Sequence, residues 1–232
     1  DAKTSVTVNA ATVETITGNA ADIKTVLAAK TITTAADVDA NVDGVISAAD
    51  ANTIAKATDG VVKATVATGT AAALNKALAD AKGTDALTLK ISKGTAAAKD
   101  LTDLDAITSV AVNANAISKI TGSVADIEAA YLANANKTIS GLGNEAVEIT
   151  GAGDAAADVN RVLKLTTGVV TATVNAAAAD VLLAALTDAK ATDALTLTVT
   201  GGPGTTAAAS DLKALDAKTS VTVNAATVET IT

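Results

Sequence analysis

Six oxygen-bearing positions and one glycine fall at metal-loop spacing within twelve residues, Asp39-Ala-Asn41-Val-Asp43-Gly44-Val45-Ile46-Ser47-Ala-Ala-Asp50. Asp39, Asn41 and Asp43 stand at positions 1, 3 and 5. Gly44 stands at 6, where a calcium loop turns sharply. Val45 offers its carbonyl at 7, Ser47 a hydroxyl at 9 and Asp50 a carboxylate at 12. A hard cation such as Ca²⁺ needs a cluster of oxygens at about 2.3–2.6 Å. The spacing therefore predicts a Ca²⁺ site made of Asp39, Asn41, Asp43, Val45, Ser47 and Asp50, with Ile46 pointing into a core.

The pattern is that of EF-hand and dockerin loops, and Asp in place of Glu at position 12 is dockerin-like. The other reading is an Asp-Gly turn that feeds a helix capped by Ser47, with Asp37 and Asp39 solvated. The second half of the chain has Gly143-Asn-Glu-Ala-Val-Glu-Ile-Thr-Gly-Ala-Gly-Asp154 at the corresponding place and no such loop. Other chemistry finds little material. There is no His and no Cys, so Ser-His and Cys-His nucleophile pairs and zinc sites are excluded. Gly151-Ala-Gly-Asp154 lacks the spacing and the Lys of a phosphate loop. Gly201-Gly-Pro-Gly204 reads as a turn, Asn136-Lys-Thr138 fits a glycosylation sequon, and Tyr131 fills a gap on a helix. We expect no enzyme.

The elements that would position these residues alternate along the chain. Short runs dense in Val, Thr and Leu predict strands at Val6–Asn9, Val61–Val66, Leu87–Ser92, Val110–Asn113, Val147–Thr150, Val169–Asn175, Leu195–Thr200 and Val221–Asn224. Ala-rich runs with apolar residues at helical spacing predict helices at Ala20–Ala29, Ala48–Ala57, Ala71–Ala81, Ala96–Ile107, Val124–Ala133, Ala155–Leu165, Ala177–Ala189 and Ala207–Leu215. Asn19, Ser47 and Ser123 each precede an Asp by three residues, a helix-start signal. Lys82, Lys190 and Lys218 lie just past helix ends, where cations are favoured. Val13–Thr17 and Ile117–Thr121 are β-rich too, as short strands or irregular turns, and Thr31 to Asp43 shows no clear strand.

The chain also repeats. Asp1 to Thr17, DAKTSVTVNAATVETIT, returns unchanged at Asp216 to Thr232. That is a unit of 215 residues (1–215) with 216–232 as overlap, a window on a longer tandem array. GVVKATV at Gly60 recurs as GVVTATV at Gly168, and TDALTL at Thr84 recurs at Thr192. The unit thus holds two diverged halves of about 107 residues. A strand followed by a helix, repeated, makes parallel strands with right-handed crossovers. Eight coils in one unit gives about 27 residues per coil, near the leucine-rich-repeat period.

Composition agrees with thin stacked coils. The chain is 49% apolar, yet it has no Phe, Trp or Met and a single Tyr. Stacked coils have no room for the aromatics that fill globular cores. The formal charge is −8, which argues against nucleic acid and against an anionic membrane surface. No run is long and apolar enough for a membrane span.

GLGNEAVEIT (Gly141–Thr150), TSVTVNAATVETITGNAADI (Thr4–Ile23), TDALTLTVTG (Thr192–Gly201) and SDLKALDAKTS (Ser210–Ser220) resemble the giant cell-surface repeat proteins of cyanobacteria and related bacteria. That resemblance implies an extracellular, polymer-like role tied to motility or adhesion, and transfers no site residue. The expectation is one continuous α/β solenoid over 1–232, right-handed, with a parallel sheet on one side and short Ala-rich helices on the other. Its function would be that of a Ca²⁺-stabilised structural or adhesive module of an extracellular fibre or surface protein, its partners the adjacent repeats. A carbohydrate- or protein-binding surface solenoid is the alternative.

Overall fold

The computed structural model describes residues 6–232; the start of the repeated string, Thr4 included, lies outside them. In chain order the elements are β1 (Val8–Ala10), β2 (Thr15–Gly18), α1 (Ala20–Ala28), β3 (Ile32–Thr34), β4 (Asp39–Ile46), α2 (Ala48–Ala57), β5 (Val62–Val66), α3 (Ala71–Ala77), β6 (Ala86–Thr88), β7 (Gly94–Ala97) and α4 (Ala98–Asp105). They continue with β8 (Val112–Asn113), β9 (Ile117–Gly122), α5 (Val124–Ala135), β10 (Ile139–Ser140), β11 (Ala146–Ile149), α6 (Ala156–Leu163), β12 (Val170–Thr173), α7 (Ala179–Ala185), β13 (Ala194–Thr196), β14 (Gly202–Ala207), α8 (Ala209–Asp216) and β15 (Val228–Ile231). This is an α/β chain with eight helices among the described residues, and every pairing between its strands is parallel.

All eight predicted helices form, most of them shorter than expected. In each of the three predicted cap pairs the cap side chain accepts the amide of its Asp partner and bonds its carboxylate. Asn19 accepts from the Asp22 amide at 3.0 Å, Ser47 from Asp50 at 3.0 Å and Ser123 from Asp126 at 3.2 Å. Such caps serve amides that the first turn leaves unpaired. In α2 the cap is followed by Ala51, Ile54 and Ala55, the buried stripe of an amphipathic helix.

The strands depart further from expectation. Thr31 to Asp43 holds β3 and the start of β4, the longest strand. Val13–Thr17 and Ile117–Thr121 settle as β2 and β9. Gly201–Gly204 is no simple turn: Pro203 sits within β14, where the register with β15 shifts between Gly202 and Thr206. Proline lacks the ladder N–H and is tolerated at such an irregularity. Val221–Asn224, predicted as a strand, makes only the bridge Thr198–Asn224.

Contacts divide the chain into two compact units. One comprises residues up to 96 with 100–116 and 133–141; the other comprises 97–99, 117–132 and 142–232. In the first, β2, β4, β5 and β6 pair in that order. Ile16 lies beside Ala40, Ala40 beside Val62, and Ala64 beside Leu87. Each partner is thus 22 to 24 residues further along. In the second, the order is β9, β11, β12, β13. Ile120 lies beside Val147, Val147 beside Val170 and Ala172 beside Leu195, at offsets of 27, 23 and 23. Each unit has its own aliphatic core: Ile54, Leu78 and Leu101 are fully buried in the first, Ile127, Leu182 and Leu186 in the second. Alternation within strands follows the pleat. Val62, Ala64 and Val66 face inward while Lys63 and Thr65 face out.

Candidate functional site

The six residues expected to hold Ca²⁺ do not form a loop. Asp39, Asn41, Asp43 and Val45 lie on β4, a parallel strand paired with both β2 and β5. Its register slips between Asn41 and Val45, where Gly44 adopts φ +75°. The glycine that a calcium loop needs for its turn serves here as a bulge residue. Asp39 accepts the Val61 amide at 2.7 Å, which ties it to the next strand. Ser47 and Asp50 are the N-cap pair of α2, and Asp50 also pairs with the Lys24 ammonium. Lys24, then the Ser47 hydroxyl, hold the Asp50 carboxyl below its ordinary range. Asn41 and Asp43 line an open cleft of about 340 Å³ with Lys63 and Thr65. Among the described residues no group of three or more His, Cys, Asp or Glu side chains is arranged to hold a metal ion. The twelve-residue spacing predicts a loop because six oxygen positions and Gly44 match the calcium pattern. The alternation of Ala40 and Ile46, inward, with Asn41 and Asp43 was the strand signal beneath it.

What the sequence reading missed is buried at the joints between coils. In the first unit Thr58, Asp85 and Thr108 are buried polar residues; in the second, Thr166, Asp193 and Thr219 are. Asp85 and Asp193 are 0% and 1% exposed. Each threonine hydroxyl accepts the amide two residues on, at Gly60, Val110, Gly168 and Val221 respectively. Each donates to a carbonyl of the preceding coil: Val38, Leu87, Glu145 and Leu195, at 2.6–2.8 Å. Thr108 and Thr219 also accept the amides of Leu87 and Leu195. Asp85 accepts from Val62 of the preceding coil at 2.9 Å and from Lys82 at 2.8 Å. Asp193 does the same with Val170 and Lys190. The order Thr, Asp, Thr is the same in both units. Its signal lies in the repeated phrases: Thr-Asp-Ala-Leu-Thr-Leu holds Asp85 and Asp193, and Thr58 and Thr166 stand two residues before the repeated Gly-Val-Val.

Two lysines extend this bonding. Lys82 donates to the carbonyl of Thr58, the C-cap of α2, at 2.9 Å. Lys218 donates to Leu186, the C-cap of α7, at 2.7 Å. Both sit past a helix end as expected, but each serves the helix one coil earlier. Tyr131 is buried and donates to the Glu145 carboxylate, which also accepts the Gly143 and Asn144 amides at 2.9 and 3.1 Å. Burial, then Glu145, pushes the phenol well above its usual range. In the sequon, the Thr138 hydroxyl is bonded to Asp105 and to the Ala133 carbonyl. No described helix is long and apolar enough to cross a membrane.

Compared with family models, curated proteins and solved structures, the chain matches none.

Proposed function

We propose that this chain is a structural and adhesive repeat module of an extracellular fibre or giant bacterial cell-surface protein, built as a right-handed α/β solenoid. The observation that supports the reading is the near-constant offset of 22 to 27 residues between parallel neighbours, with buried Thr, Asp and Thr in the same succession at three joints of each unit. Such an architecture grows by adding units instead of enlarging one core. Its partners are the adjacent repeats. Antibody raised against the chain should label intact source cells without permeabilisation; labelling only after permeabilisation sinks the surface assignment.

Calcium belongs to this reading as a proposal, with Asp39, Asn41, Asp43, Val45, Ser47 and Asp50 as its residues. A ligand of the folded state raises stability by mass action. Chelator at constant ionic strength should lower the melting temperature, and Asp43→Ala should abolish that response. Unchanged melting on chelation removes calcium from the proposal. A second reading, a ligand-binding solenoid, draws on an open cleft of about 360 Å³ lined by Thr65, Thr68, Thr88, Lys90 and Asn113. Binding on a glycan array, retained in a chain that fails the cell-surface test, would favour it.

A further inference from the structure

Asp-Gly occurs twice in the chain, as Asp43-Gly44 and as Asp59-Gly60, and Val follows each pair. An aspartate before glycine is prone to close a succinimide ring, because glycine has no side chain to hinder its own nitrogen when that nitrogen attacks the preceding carboxyl. Both aspartates are exposed, so contact with water does not separate them. The state of the attacking nitrogen does.

At Asp59 that nitrogen is held. The Gly60 amide donates to the Thr58 hydroxyl at 3.0 Å, and the Asp59 amide donates to the Ala36 carbonyl at 2.8 Å. A Cβ on Gly60 would lie 2.4 Å from the Asp37 carbonyl oxygen, so this peptide is pressed against the preceding coil and cannot turn. The Asp59 carboxylate is drawn aside to Lys82 at 3.3 Å.

At Asp43 the surroundings are open. β2 pairs with β4 only as far as Val42, and β5 pairs with Asn41 and next with Val45. Gly44 thus sits in the slip of the register, in neither ladder. A Cβ built there would meet nothing within 4 Å. Among the described residues the Asp43 carboxylate has no hydrogen-bond or ion-pair partner, and it lines the open cleft where water reaches it. The φ of +75° at position 44 favours glycine over any residue with a Cβ. The bulge therefore calls for the one residue that leaves ring closure unhindered.

We propose that Asp43 is a site of spontaneous isomerisation to isoaspartate in the folded protein. The Gly44 nitrogen forms a bond to Cγ of Asp43, and the carboxyl hydroxyl leaves with the amide hydrogen as water. Water then adds back to the succinimide. Opening at Cγ restores aspartate. Opening at the main-chain carbonyl leaves the chain running through Cγ and frees the α-carboxylate. No atom is gained or lost overall, and no oxidant or enzyme takes part. The product backbone is longer by one methylene, which β4 can take up where its register already slips. Asp59, with Gly and Val after it as well, stays aspartate. The inference stands apart from the fibre reading. A cation on Asp43 would restrain the carboxylate, so chelator is present throughout the test and the calcium proposal does not bear on its outcome.

The full chain is aged in heavy-oxygen water below its melting temperature, with circular dichroism to show that it stays folded. Each passage through the succinimide leaves one heavy oxygen behind. Trypsin then places the two sites in separate peptides, Thr31–Lys56 and Ala57–Lys63, and electron-transfer fragmentation locates isoaspartate within each. In the folded chain, label and isoaspartate should accumulate at Asp43 many-fold faster than at Asp59. In denaturant the two sites should convert at similar rates. Asp43→Glu keeps the carboxylate but disfavours the ring, and should remove the signal from its peptide. No conversion at Asp43 in the folded chain overturns the proposal. Equal conversion of both sites in the folded chain overturns it too, since exposure alone would then decide. An undiminished bias toward Asp43 in denaturant also overturns it, because the cause would be sequence and not the bulge.

Discussion

A buried carboxylate that accepts two backbone amides is costly to remove, because both donors are then stranded away from water. Asp85→Ala should therefore destabilise the chain by about 2–5 kcal/mol in denaturant titration. Thr108→Val keeps the shape of the side chain and deletes the hydroxyl; it should cost about 1–3 kcal/mol, whereas Thr108→Ser should recover most of that. Equal stability of the Val and Ser variants would mean that shape, not bonding, matters at the joint. Asp50 behaves differently because it is half exposed. Its carboxyl is depressed by Lys24 and then Ser47, so its contribution is present above the unfolded-state value near 3.8 and fades as pH falls through the lower folded value. Lys24→Met should lower stability at neutral pH by no more than about 1 kcal/mol, and the difference should shrink at the acid end of a pH series. Tyr131 gives the opposite sign. Its raised phenol leaves stability intact below about pH 10 and erodes it above, once the unfolded chain ionises. As the one aromatic residue, it should show phenolate absorbance only together with unfolding. Asp85 and Thr108 are hard to read as a site because each serves an amide 23 or 21 residues earlier, Val62 or Leu87, and no local spacing reports that.

The helices were more legible than the strands, for a physical reason. A helix announces itself locally, through a cap and an apolar stripe at three- and four-residue spacing, as in Ser47, Ala51 and Ile54. A parallel strand is defined by its neighbours, and β4 shows the difficulty. Its oxygen side chains and Asp-Gly pair mimic a metal loop, yet β2 and β5 hold it extended from both sides. β14, with Gly202 and Pro203, is extended only because β15 lies beside it. The close approach of coils is marked by two glycines at equivalent places. A Cβ on Gly60 would fall on the Asp37 carbonyl oxygen, and one on Gly168 on that of Glu145. Gly168→Ala must push two backbones apart, so its melting temperature should fall by an amount typical of core overpacking, about 1–3 kcal/mol in stability. Ala152→Gly, on the exposed loop nearby, is the control and should change it little.

Across the whole chain, an excess of eight negative charges repels itself in the folded state. Monovalent salt should raise the melting temperature modestly as the repulsion is screened, and an acidic-to-neutral set of surface substitutions should flatten that dependence. A melting temperature that falls with added salt would put the ion pairs ahead of the net charge. The joints also impose an order in time. Asp85 completes Val62, Thr108 completes Leu87, Asp193 completes Val170 and Thr219 completes Leu195; in each case the later residue supplies what the earlier strand lacks. On the ribosome, each of these four strands is thus one bond short until about 20 to 25 further residues emerge, a delay of about 1 to 5 s at ordinary synthesis rates. At these four joints a nascent chain would seal each strand only as the next coil emerges, and synthesis itself would set the direction in which that part of the protein becomes solid.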